Sequence, residues 1–141
     1  MYIIRSTIYI FQLRLSTLLR IYSKLIYMEG SEISMTEIQL KSFVDAKRPK
    51  DKEILKLVDV GYSWDGRDAI LFEVRPKWDD PDVKLELPFA KITFVKSKSL
   101  WKLYWLRASG KWELYEPHAQ DGSLNTLLDV IKKDAYACFF G

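Results

Sequence analysis

Cysteine and histidine each occur once in this chain of 141 residues, as Cys138 and His118. An internal disulfide is therefore impossible, and a Cys/His zinc site lacks ligands. A chain without disulfides suits a reducing compartment, so a cytoplasmic location is expected. No Gly-rich phosphate loop, nucleophile elbow or metal-ligand motif is present. No cofactor, metal or catalytic group is expected on that account, and the reading leans away from an enzyme. Acidic residues are missing altogether from residues 1–28, which hold Arg5, Arg14, Arg20 and Lys24. Those four charges exceed the net +3 of the whole chain, so the remainder carries −1. The basic balance belongs to the prefix and gives no strong nucleic-acid signal for the rest.

The same four charges interrupt the prefix too often for a spanning helix, which needs about 20 mostly apolar residues. No apolar block leads to a small-residue cleavage site either. On a helical wheel Ile4, Ile8, Phe11, Leu15, Leu18, Leu19, Tyr22 and Ile26 gather on one face, the pattern of an interfacial helix or an organelle presequence. The competing reading is an over-extended start, with Met28 and Met35 as alternative initiators. It is favoured because the run after Ser34 looks like a domain start. Thr36 can cap a helix, Gln39 completes a capping box, and Met35 and Leu40 occupy the staple positions. Two domains of description follow: 1–34, a basic extension outside the fold, and 35–141, a single α+β domain. Membrane attachment arises only if residues 1–28 are genuine.

From Thr36 to about Lys47, Ile38, Leu40, Phe43 and Val44 supply a helical stripe that Pro49 ends. Glu53 to Trp64 alternates as a strand, with Ile54, Val58, Val60 and Tyr62 on one side. Asp65–Gly66 then signals a hairpin. The return strand, Ala69 to Arg75, puts Ile70, Phe72 and Val74 on one side and Leu71, Glu73 and Arg75 on the other. A loop bounded by Pro76 and Pro88 leads to a strand over Phe89 to Val95. "KSKS" makes a turn, and "SLWKLYWLRASGKWELYE" reads as a last hairpin about Ser109–Gly110. A two-residue loop there sets Arg107 opposite Trp112, Trp105 opposite Leu114 and Tyr104 opposite Tyr115. Ser123 then caps a helix whose stripe is Leu124, Leu127, Leu128 and Ile131, with Lys132 and Lys133 at its C-terminal end.

The expected architecture is α+β: a five-stranded antiparallel meander with an N-terminal and a C-terminal helix covering one face. That apolar face would hold Ile70, Phe72, Val74, Ala90, Ile92, Phe94, Trp101, Leu103, Trp105, Trp112 and Leu114. At "LFEVRP", "AKITFV", "WKLYW", "GKWELY" and the terminal "CFFG" the chain resembles the uncharacterised domain-of-unknown-function family 3024, over about residues 35–141. The family ends in Phe-Trp-Gly where this chain has Phe139-Phe140-Gly141, which keeps an aromatic anchor. The resemblance implies a shared fold and brings no activity, cofactor or site.

The candidate ligand-binding residues are those expected on the polar sheet face: Glu73, Arg75, Lys91, Tyr104, Glu113 and Tyr115. Arg75 and Lys91 suit an anionic group, and the tyrosines suit stacking or hydrogen bonding. The plain alternative is a solvated face with weak cross-strand charge pairs. Asp79, Asp80 and Asp82 lack the Gly and distal Glu of a calcium loop and read as a turn. His118 reads as a loop histidine, and Cys138 as a small buried residue. Tyr136, Phe139 and Phe140 either close the core or form an exposed docking peptide. The leading expectation is a non-enzymatic binding or adaptor module with a protein partner. The alternatives are an enzyme with a sheet-edge site, using Glu73 or His118 with Arg75, and a weak single-stranded nucleic-acid binder.

Overall fold

The computed structural model describes residues 34–140. The first 33 residues lie outside that range, and with them the expectations for the basic prefix. Helix α1 spans Met35–Lys47 and buries Leu40 and Val44. Thr36 already lies inside its first turn, so Ser34 occupies the position before the helix and the expected capping box is displaced. Met35 is 70% exposed while Leu40 is wholly buried, so the pair does not staple the entry.

The stretch expected as one long strand after Pro49 is divided. Asp51 accepts hydrogen bonds from the N–H groups of Glu53 (2.7 Å) and Ile54 (3.3 Å). This N-cap starts a short helix, α2 (Lys52–Leu57), and the strand β1 begins only at Asp59 and runs to Trp64. The alternation of Ile54 with Val58 is thus accidental to the strand; a side-chain cap outcompetes it. Arg48, just past α1, grips Asp59 with two hydrogen bonds of 2.7 and 2.6 Å, tying the end of that helix to the start of the sheet.

Five strands follow one another across an antiparallel sheet in the order β1-β2-β3-β4-β5, with β2 at Asp68–Pro76, β3 at Lys84–Val95, β4 at Leu100–Leu106 and β5 at Trp112–Leu114. A sixth, β6 (Gln120–Asp121), returns to the β4 edge beside Trp101 and Lys102. The α+β class and the meander order hold. Helix α3 (Leu124–Lys133) starts at the Ser123 cap, whose Oγ accepts from Thr126 N–H at 3.4 Å. Its expected stripe, Leu124, Leu127, Leu128 and Ile131, is buried throughout. These leucines share one core with Leu40 and Val44 of α1 and with Ala69, Leu71, Ala90, Ile92, Trp101 and Leu103 of the sheet.

Two register differences change which side chains share a face. Leu71 pairs with Ala90 and Ala69 with Ile92, so the core side of β2 is Ala69 and Leu71. Ile70, Phe72 and Val74 therefore lie on the opposite face, contrary to expectation. β2 is apolar on both sides over Ala69–Phe72, so alternation could not choose, and a one-residue slip exchanges the faces. The last hairpin differs likewise. Arg107 N–H bonds to Lys111 C=O at 2.9 Å, and the loop is the three residues Ala108–Gly110, with Gly110 at φ +81°. A three-residue loop with a left-handed glycine is a standard hairpin solution. It sets Leu106 opposite Trp112, Trp105 opposite Glu113 and Tyr104 opposite Leu114. Trp112 and Leu114 thereby leave the core face.

β3 also starts earlier than expected and carries Pro88 within it. The pairing shifts between Leu71/Phe72, so that Phe72 faces Pro88 while Leu71 faces Ala90, and Phe89 is the extra residue of a bulge. A bulge is one of the few places where a strand accepts proline. Across the other edge of β2, Gly61 faces Phe72. A Cβ at Gly61 would stand 2.6 Å from the Phe72 ring, so the glycine lets that ring lie over the backbone.

The Arg48 guanidinium, donating to Asp59, holds the Asp59 carboxyl below its ordinary value. A carboxylate lowered by folding contributes stability above its unfolded value near pH 4 and loses it as pH falls through the folded one. Both side chains are partly exposed, which limits the pair to about 0.5–1 kcal/mol. Asp59→Asn is expected to lower stability by that amount at pH 7 in urea unfolding, with the gap to the native chain narrowing as pH falls below the ordinary carboxylate value of about 4.

Candidate functional site

The six residues expected on one polar face are divided by the observed register. Lys91 and Tyr104 are direct cross-strand partners, on the same face as Ile70, Leu114 and Trp112. Glu73 and Arg75 belong to the other face, in line with Leu71, as does Glu113, which faces Trp105. Tyr115 is not on an open face at all. It is 2% exposed, with its ring 5.0 Å from that of Phe139 and its N–H on Leu103 C=O at 2.8 Å. Burial raises the Tyr115 hydroxyl above its ordinary value, so it stays neutral at physiological pH. A flip in β5 and a slip in β2 therefore leave Lys91 and Tyr104 on one face, and Glu73, Arg75 and Glu113 on the other.

What surrounds those two is a feature the sequence reading assigned to the core. The Lys91 ammonium stands 4.8 Å from the centre of the Tyr104 ring and 5.4 Å from that of Trp112. The three come from β3, β4 and β5, and all are half-buried. The negative ring faces hold the cation, at about 0.5–1 kcal/mol for each such contact near a surface. The result is a fixed positive charge flanked by two flat apolar surfaces. Chemically it can hold an anionic or carbonyl group against Lys91 and stack a planar or apolar group on either ring. The clue in the sequence was the glycine at the third loop position of "RASGK", which signals a three-residue hairpin loop and so moves Trp112 to this face.

The remaining charged candidates are engaged with one another. Glu73 and Arg75 pair at 2.8 Å, and Arg107 pairs with Glu113 at 2.6 Å, with the guanidinium 5.6 Å from the Trp105 ring. His118 bonds to Asp121 at 3.0 Å, and Asp121 in turn accepts from Ser123 N–H at 2.8 Å. That N–H and the imidazole hold the Asp121 carboxyl below its ordinary value. His118 lies after β5, with β3 and β4 between it and Arg75, so of the two pairings the enzyme alternative allows only Glu73 with Arg75 is brought together. Lys77 pairs with Asp79 at 2.9 Å in the acidic turn, and no metal-holding cluster occurs among the described residues.

The C-terminal segment is packed in part. Asp134 ends α3 in the left-handed conformation, at φ +41°. Its carboxylate accepts from the N–H groups of Phe139 (3.0 Å) and Phe140 (2.8 Å). Phe139 is buried and Phe140 lies 4.9 Å from Phe89 beneath the Lys47 ammonium, while Tyr136 stays 67% exposed. Burial lowers the Lys47 value, with Asp134 and Glu73 opposing that shift. Cys138 is half-buried beside these rings, and burial pushes its thiol up.

The fold and this surface define an open-sheet α+β domain that presents Lys91 beside the rings of Tyr104 and Trp112. The sequence model of the domain of unknown function DUF3024 matches residues 29–141, and the chain belongs to that family. No curated protein and no solved structure matches it. No helix among the described residues is long and apolar enough to cross a membrane.

Replacing Asp134 with Ala removes both acceptors and leaves a β-carbon in the left-handed region. A loss of about 1–3 kcal/mol is expected in urea unfolding, with the last residues becoming sensitive to carboxypeptidase. For Cys138, the rate of alkylation is expected to rise with pH about a midpoint above the ordinary thiol value of about 8.5. A midpoint below that value would identify an activated thiol.

Proposed function

We propose that this domain is a non-enzymatic binding module that engages a protein partner through the sheet face carrying Lys91, Tyr104 and Trp112. The unit taken to act is residues 35–141, in a cytoplasmic setting consistent with a single, unpaired cysteine. The observation that carries the reading is the placement of one cation between two half-buried rings on rigid strands. Most surface lysines are solvated and mobile. A lysine already ordered by its neighbours loses less freedom when it meets an anionic or carbonyl group. Tyrosine and tryptophan are also the residue types that supply large contact areas at low entropic cost in interfaces. Glu73, Arg75 and Glu113 no longer belong to the proposed surface, and they serve as controls on the opposite face.

The test compares proteins retained from the native lysate by the full chain, by Lys91→Glu, by Trp112→Ala and by Arg75→Glu. Retention of a partner is expected to fall at least about tenfold for the first two and to be unchanged for the third. Equal loss with Arg75→Glu, or none with Lys91→Glu, would remove the assignment to this face. A second reading, single-stranded nucleic acid, draws on the same rings, since bases stack on aromatic faces beside a cation. It requires oligonucleotide binding that weakens steeply with added salt and is lost in Trp112→Ala.

A further inference from the structure

Four of the nine large hydrophobic side chains exposed among the described residues belong to one hairpin: Trp78 at 92%, with Val83, Leu85 and Leu87. Leu85 and Leu87 alternate with Lys84 and Glu86, so they share one face of the strand, and Val83 stands immediately before it. Among the described residues, this first half of β3 has a strand neighbour on one side only. β2 pairs with Lys84–Pro88, whereas β4 begins to pair at Ala90. On the side away from β2 the backbone edge is open, and every residue from Lys84 to Pro88 is exposed. Natural edges are commonly guarded by charge. Here the two charges have opposite signs and stand two residues apart, which changes what they do when the edge meets a copy of itself.

We propose that this edge pairs, antiparallel, with the same edge of a second copy of the chain across a two-fold axis at Leu85. In that register Leu85 faces its own copy, Val83 faces Leu87 and Lys84 faces Glu86, the last two pairings each occurring twice. The exposed apolar trio of each chain meets the other on one face, and opposite charges meet on the reverse. Neighbouring registers are opposed electrostatically. A two-residue shift one way sets Glu86 against Glu86. A shift the other way sets Lys84 against Lys84 and Asp82 against Glu86. A one-residue shift puts charged residues opposite apolar ones. Lys84 now donates only a 3.4 Å hydrogen bond to Lys56 C=O, so little opposes its re-pairing. Pro88, without an N–H, closes the ladder at one end. The strip is short against a standard interface, so the dimer is a weak one that forms at high concentration.

Sedimentation equilibrium of the full chain, over a series reaching about 1 mM, is expected to show a reversible monomer–dimer equilibrium. Glu86→Lys turns two attractive pairs into two repulsive ones and is expected to weaken the dimer about tenfold. The double variant Lys84→Glu, Glu86→Lys exchanges the charges within each strand, restores the pairing and is expected to recover most of the loss. All these positions are exposed, so unchanged circular dichroism is expected. In a Cys138→Ala background, Leu85→Cys is expected to oxidise to a covalent dimer, because facing residues of an antiparallel pair stand about 4.5–5.5 Å apart, within disulfide reach. A monomer throughout the series would overturn the proposal, as would a dimer indifferent to Glu86→Lys or a double variant no better than the single one. A monomeric chain that holds a different protein on this edge would overturn it as well.

Discussion

The backbone of β4 is bonded along both sides, and the rest of the domain depends on that double engagement. On one side it meets β3 in register from Trp101 opposite Phe94 to Trp105 opposite Ala90. On the other it meets β5 near Tyr104 and β6 near Trp101. Between these, Leu103 N–H bonds to Ala119 C=O at 3.0 Å and Leu103 C=O accepts from Tyr115 at 2.8 Å. A strand held this way cannot slip by one residue without breaking both ladders. Its parity therefore fixes Trp101, Leu103 and Trp105 to one face and Lys102, Tyr104 and Leu106 to the other.

The core assembles from that parity. Leu103 and Ile92 are fully buried with Leu71, Leu127 and Ile131, and the helical stripes of α1 and α3 join the same cluster. Aromatic rings extend it in two directions: Trp101 packs near Trp64 and Phe94, and Tyr115 packs near Phe139. The carboxylate of Asp134 holds the chain end in place for the second of these groups. The opposite face receives what parity leaves over. Lys91, Tyr104 and Trp112 come together because the pairing of β3, β4 and β5 puts all three on that face. The proposed platform and the core are thus two consequences of one register.

Several parts of this arrangement were legible in the residues. The helix after Ser34, the Asp65–Gly66 turn, the Ser123 cap and the leucine stripe of α3 depend on local signals, and all are present. That Lys91 and Tyr104 share a face was also readable, because β3 and β4 alternate cleanly between apolar and polar. Reading failed where both sides of a strand were alike or a loop length was ambiguous. Ala69–Phe72 is apolar on either side, and "RASGK" admits a two-residue turn about Ser109–Gly110 as well as the three-residue loop that its glycine favours. Each ambiguity displaced residues to the wrong face: Ile70, Phe72 and Val74 in one case, Trp112 and Leu114 in the other. The strand expected from Glu53 failed differently, because the Asp51 cap makes a short helix there.

The sequence by itself determined the α+β class, the order of the main strands, both long helices and the family to which the chain belongs. It could do so because caps, turns and periodic stripes act over a few neighbouring residues. Only the tertiary structure decided which residues share a surface. Face membership depends on the parity of pairing between strands distant in the chain. A single bulge at Phe89 or one extra loop residue at Gly110 reverses that parity without altering any local pattern.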